Sequence, residues 1–209
     1  MGKKLNKMTD RQERHNSKPD DQRDENLHRA LNNSARFLRA NRPGEAAEIL
    51  LPLHQQYPHH PDVAINLGGA LILQRKWEQA VKVLLPAARQ DMQNAMLWIN
   101  LAAAHLGRLE TSGPKQQQQA IAAYEQALRA DPKAPNVHYQ LGLIYKEQGN
   151  LSGAAALFQR ALEVNPSDKD ARMWLERLSK LMVEQSDTQR DVQEQGTDLD
   201  STPFSDVSE

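Results

Sequence analysis

The segment APNVHYQLGLIYKEQGNLSGAAALFQRALEVNP, residues 134–166, decides how the rest of this chain is read. Its apolar residues recur at three- and four-residue spacing on either side of Gly149-Asn150, the pattern of two amphipathic helices joined by a turn. Gly142, near the middle of the first half, and Ala154, early in the second, are small enough to let the two helices approach closely. Larger residues on the same faces fill the remaining gap. One such pair cannot bury its apolar face alone and needs neighbours to stack on.

Those neighbours are present. Ala120 and Ala154, Tyr124 and Phe158, Ala127 and Ala161, and Pro132 and Pro166 all lie 34 residues apart. Upstream, Ala46 and Ala80, Leu50 and Leu84, Leu53 and Ala87, and Leu67 and Leu101 keep the same interval. The step from Ala80 to Ala120 is 40, which locates a six-residue insertion in LETSGPKQQQQ (109–119). Small residues recur in the first helix of each unit as Ser34, Gly68, Ala102 and Gly142, and in the second as Ala46, Ala80, Ala120 and Ala154. Arg-Pro-Gly (42–44), Tyr-Pro (57–58), Asp-Pro (131–132) and Asn-Pro (165–166) punctuate the helices.

In the opening segment Leu141, Gly142, Tyr145, Ala154, Phe158, Ala161 and Pro166 closely resemble the tetratricopeptide repeat pattern, residue for residue. The resemblance extends over about three quarters of the chain. It implies an all-α, right-handed solenoid of four helix-turn-helix repeats, at about 27–60, 61–94, 95–134 with the insertion, and 135–168. Repeat one departs from the pattern, with Asn33 and Ser34 where the family has Leu and Gly. After the last repeat, Ala171, Trp174, Leu175, Leu178, Leu181 and Met182 form one stripe, which predicts a capping helix over 169–182.

Two prolines test the register. Pro52 and Pro86, 34 apart, fall inside second helices, where proline removes a hydrogen bond and clashes with the preceding turn at a cost of about 3 kcal/mol. In the resembling family these helices form the outer layer. The carbonyls of Glu48 and Lys82 are therefore expected to face water, the pair being an outer kink carried through duplication; a functional hinge is the alternative.

Composition narrows the function classes. Hydrophobic residues at 39% and charged residues at 25% suit a soluble protein, and no apolar run approaches the roughly 18 residues of a membrane span. Met1 to Met8 is basic but leads into polar sequence, so export is not expected, and a cytoplasmic location is. With no cysteine, thiol nucleophiles, disulfides and cysteine metal sites are excluded. Residues 1–26 balance seven Lys/Arg against six Asp/Glu, while 183–209 set eight acids against Arg190 alone. Both ends are polar with few large apolar residues and are expected to be disordered, the second as an acidic tail.

Catalytic motifs are not found: there is no phosphate-binding glycine loop and no nucleophile elbow, and acids are scattered over helix faces. His54, His59 and His60 cluster in HQQYPHH but lack a partner at ligand spacing, so no metal or other cofactor is expected. Trp77, Trp98 and Trp174 read as packing residues. Lys and Arg are dispersed without interleaved aromatics, which speaks against nucleic acid. QQQQ (116–119) is expected to extend the start of a helix.

The groove remains. The resemblance implies a concave surface that takes a peptide on the first helix of each repeat. In register, the fifth position reads Leu31, Ile65, Ile99 and Tyr139; the sixth, Asn32, Asn66, Asn100 and Gln140; the ninth, Ala35, Gly69, Ala103 and Leu143; and the twelfth, Leu38, Ile72, Leu106 and Lys146. Apolar and small residues alternate with a column of amides, each able to donate to and accept from a peptide backbone whatever its sequence. The family's binders of acidic chaperone tails carry Lys at the fifth position of their first repeat, where this chain has Leu31, so that ligand is disfavoured. The expected function is therefore a non-catalytic adaptor, scaffold or assembly factor that holds a protein or peptide. A self-assembling scaffold is the alternative within binding proteins, and an enzyme with an unrecognised site the alternative from another class.

Overall fold

The computed structural model describes residues 19–198, with side chains described from 22 to 185. Among the described residues there are nine α-helices and no strand. They are α1 (Pro19–Arg39), α2 (Pro43–Gln56), α3 (Pro61–Leu73), α4 (Trp77–Gln90), α5 (Ala95–Leu106), α6 (Pro114–Ala130), α7 (Val137–Glu147), α8 (Leu151–Val164) and α9 (Lys169–Asp198). A single 3-10 turn, Leu109–Thr111, lies between α5 and α6. The chain divides into two compact units between Pro132 and Lys133. The first holds α1 to α6 and the second α7 to α9.

In two of the helical pairs, one contact explains the small residue in the first helix. A Cβ placed on Gly68 would lie 2.6 Å from the Leu84 side chain, and one on Gly142 would lie 2.8 Å from the Phe158 ring. Leu50, Leu84, Tyr124 and Phe158, at one register position of α2, α4, α6 and α8, are all buried, and Ala46, Ala80, Ala120 and Ala154 beside them are fully buried. Alternating large and small residues at such crossings is how close helix packing reaches interior density. Tyr124 is buried deeply enough that its phenol is pushed up to about 12. In the first pair Ser34 replaces the glycine and is fully buried, its hydroxyl donating to the Leu31 carbonyl at 2.8 Å. That bond satisfies the one polar atom the substitution brings inside.

The turns inside three of the pairs share a backbone solution. Asn41, Arg75 and Gly149 all take positive φ, at 54°, 60° and 76°. The next residue in each case, Arg42, Lys76 or Asn150, donates its amide to a carbonyl five residues back, of Phe37, Leu71 or Tyr145. This is the Schellman ending, which satisfies carbonyls the helix leaves open. The pair α5 and α6 departs from it. Gly107 (φ 61°) stops α5, and the insertion folds as the 3-10 turn.

The glutamine run then does structural duty. Gln116 Oε1 accepts the Gly113 amide at 2.7 Å, and buried Gln117 donates Nε2 to the Ser112 carbonyl at 3.2 Å. Helix α6 therefore starts at Pro114, as the run suggested.

Pro52 and Pro86 do lie inside helices α2 and α4. Both are exposed, as are Glu48 and Lys82 four residues before them, so the interrupted hydrogen bonding faces solvent.

The ends depart from expectation. Helix α1 begins at Pro19, so residues 19–26 are helical rather than part of a disordered 1–26 segment; residues 1–18 lie outside the described residues. Leu27 is buried at 6% exposure, and an amphipathic helix anchored there propagates toward its N-terminus at little cost. Helix α9 runs past 182 to Asp198, so the cap is longer than 169–182 and residues 183–198 are helical; 199–209 lie outside the described residues. Its predicted stripe is buried only in part. Ala171 and Leu178 are enclosed, Trp174 and Leu175 pack against the α8 core, and Leu181 and Met182 emerge exposed. The carboxylate of Asp168 accepts the amides of Asp170 and Ala171 at 3.0 Å, which starts α9 where sequence placed it.

A candidate peptide-binding face

In the first unit, α3 packs against both α1 and α5, so the first helices of successive pairs stand side by side. Of the residues expected on the groove, Leu31, Ala35, Ile65, Asn66, Gly69, Ile99, Asn100 and Ala103 are half-buried and Asn32 is exposed. None is sealed between helices. Asn66 and Gly69 share a helical stripe with Leu73, which is 52% exposed, and Asn100 and Ala103 share one with Met96 at 45%. Leu73 and Met96 are apolar residues that the four register positions passed over. Their signal was their spacing of four from Gly69 and Asn100.

The face is also uncharged over most of its length. Helix α3 carries Asp62 as its one charged side chain, and α5 has no Asp, Glu, Lys or Arg. His105, on α5, is held below the usual imidazole range by burial, which keeps it neutral near neutral pH. Charge enters on α1, where Arg36 and Arg39 are exposed.

The amide column is less uniform than its sequence. Asn66 turns its Nδ2 toward Ser34 Oγ at 3.4 Å, linking α3 to α1. That bond uses one of the two Nδ2 hydrogens, so Asn66 keeps a donor and its Oδ1 acceptor for a ligand. Ser34 therefore helps to orient the neighbouring amide besides replacing a glycine. Leu106, read as a groove residue at the twelfth position, is buried at 7%.

The second unit is arranged differently. Tyr139 and Leu143 of α7 pack against the core of α8 and α9, with the Tyr139 and Phe158 ring centroids 5.6 Å apart. The Phe158 ring in turn stacks on Trp174 at 6.4 Å, and Lys146 Nζ sits 4.8 Å above Trp174. Tyr139, Gln140, Leu143 and Lys146 are all half-buried, as most groove positions of the first unit are, while Tyr139 and Leu143 also pack against that core. Burial, then the nearby Asp170, raises the Tyr139 hydroxyl above the ordinary phenol range. His138, also on α7, is nearly enclosed and lowered by burial and by Arg160.

The remaining candidates are placed as follows. Trp98 is buried and donates Nε1 to the Met92 carbonyl at 3.1 Å, whereas Trp77 is half-buried near Gly107. His54 and His60 each hold a buried Nδ1 without a hydrogen-bond partner among the described residues, and burial, then His59, lowers His54. Among the described residues no group of three or more His, Asp or Glu is arranged to hold a metal ion. No helix among them is long and apolar enough to cross a membrane.

Comparison with known proteins gives one answer. Sequence profiles of the tetratricopeptide repeat match residues 37–106 and 135–168, and a profile described as a TPR repeat matches 115–149. Cellulose synthase operon protein C of Pseudomonas fluorescens (strain SBW25) is 31% identical over 120 residues, 56% of this chain and 9% of that protein. The chain thus spans about a tenth of the length of that curated relative. Among solved structures, a thermophilic TPR protein of Thermus thermophilus, TTC0263, superposes with a TM-score of 0.64 at 18% identity, covering 74% of this chain and 82% of that one. MamA from residue 41 to its end, of Desulfovibrio magneticus RS-1, gives 0.62 at 22% identity, covering 84% and 98%. With the profiles together spanning more than half of the residues, and with paired helices meeting at small-to-large crossings, the chain belongs to the tetratricopeptide repeat family.

Proposed function

We propose that this protein is a non-catalytic interaction module that holds an extended segment of a partner protein along α1, α3 and α5, as an adaptor, scaffold or assembly factor. The observation that carries this reading is the open, uncharged wall of Ile65, Asn66, Gly69, Ile99, Asn100 and Ala103 on two adjacent helices. A bound strand must have its backbone N–H and C=O groups satisfied, and amides set among apolar residues meet that need without demanding a particular side chain. The acceptor on Asn66 suits a peptide N–H. The absence of lysine from this wall argues against capture of an acidic chain end.

The test is the double variant Asn66→Ala/Asn100→Ala in the full chain. Both side chains are half-buried and Asn66 bonds Ser34, so the variant is expected to cost about 1 kcal/mol, with retained folding checked by a thermal melt. Affinity for a partner isolated from the native host falls by roughly 1 kcal/mol for each hydrogen bond lost. Unchanged affinity rejects the reading.

Self-assembly is the second reading, and Leu181, Met182 and Val183 favour it, since they leave an exposed apolar turn on α9. Sedimentation over about a hundredfold concentration range tests it. A constant monomer mass rules it out.

A further inference from the structure

Helix α3 contains two adjacent glycines with opposite structural roles. Gly68 is required, because any side chain there would strike Leu84. Gly69 is not: a Cβ built on it meets nothing within 4 Å, and its backbone does not take positive φ. A glycine inside a helix weakens it relative to alanine, so the fold itself would be better served by a larger residue at this position. The space over Gly69 is bounded on α3 by Ile65, Asn66 and Leu73. The neighbouring α5 carries Ile99 and Ala103 at the matching register positions and no formal charge.

We infer that Gly69 is a contact point at which an uncharged, apolar peptide segment lies directly against the backbone of α3, the missing side chain being the room that segment occupies. This rests on the groove reading proposed above and names the chemistry of its ligand. Electrostatic complementarity selects that chemistry. A peptide carboxylate or ammonium buried against α3 and α5 would find no charge on α5 and only Asp62 on α3, the cations Arg36 and Arg39 lying on α1, which makes its desolvation costly. An apolar side chain is favoured by covering Leu73 and the two isoleucines.

The experiment pans a phage-displayed library of random dodecapeptides against the full-length protein. Enriched peptides are synthesised and titrated by fluorescence anisotropy against wild type, Gly69→Ala, Gly69→Leu and Asn66→Ala/Asn100→Ala. The expected peptides have an uncharged apolar centre. Gly69→Ala melts at or above the wild-type temperature yet binds more weakly, and Gly69→Leu loses at least about tenfold in affinity while remaining folded. Wild-type affinity in Gly69→Leu with loss in the amide double variant overturns the inference and leaves the groove reading standing. Indifference to all three variants, or enrichment of no sequence, removes both. Peptides with charged centres overturn the stated ligand chemistry, and a lower melting temperature for Gly69→Ala removes the structural premise.

Discussion

Two positions show what a side chain costs where glycine fits better. Arg75 occupies a left-handed turn position that Gly149 fills in the equivalent turn, and a side chain other than glycine is strained there by roughly 1–2 kcal/mol. Arg75 is exposed, so Arg75→Gly is expected to stabilise the protein by about 1 kcal/mol once the greater freedom of glycine in the unfolded chain is offset, measured by urea denaturation. Gly68→Ala is expected to go the other way, costing about 1–3 kcal/mol, because Leu84 must move. The buried histidines set a pH dependence. Burial lowers His54, His105 and His138 below 6.5, so on acidification the unfolded chain takes up protons before the folded one. Stability is fully present above about pH 6.5 and is lost as pH falls from there through the lowered folded values. The urea midpoint is expected to be lower at about pH 5.5 than at about pH 7.5, and His138→Gln to reduce that difference.

At the scale of elements, helix ends and interruptions were the features sequence handled best where a residue type dictates backbone geometry. Pro43, Pro61 and Pro114 begin α2, α3 and α6, where proline's missing N–H costs nothing. Pro52 and Pro86 are the exception inside helices, and because both face solvent, no core packing depends on their rings. The double variant Pro52→Ala/Pro86→Ala is expected to gain about 1 kcal/mol or more per site, read as a higher denaturant midpoint with partner binding unchanged. Loss of binding would mark the kinks as functional hinges instead. The boundaries of α1 and α9 were missed for a common reason. Composition places polar segments outside the fold, whereas a helix already anchored by Leu27 or Leu178 extends through polar residues by adding one hydrogen bond per residue.

At the scale of the whole molecule, the second unit builds a core cluster from α8 and α9, with Tyr139 and Leu143 of α7 packed against it. Phe158 is fully buried among Ala154, Ala161, Ala171 and Leu178, two of which belong to α9. Deleting residues 169–209 is therefore expected to uncover Phe158 and destabilise α8, so that the helical signal in circular dichroism falls by more than the 30 residues of α9. Sequence by itself determined the family, the pairing of helices, the place of the insertion and the position of both internal prolines. Those features rest on local rules: the spacing of apolar residues, the need for small residues at crossings, and the fixed φ of proline. It also proposed one continuous row of groove residues. Tertiary structure alone decided which members of that row are open, because exposure depends on what packs over a residue from elsewhere in the chain. Tyr139 and Leu143 pack against the cluster of α8 and α9 yet stay half-buried, Leu106 is buried, and Asn66 bonds Ser34, while Gly69 has empty space above it.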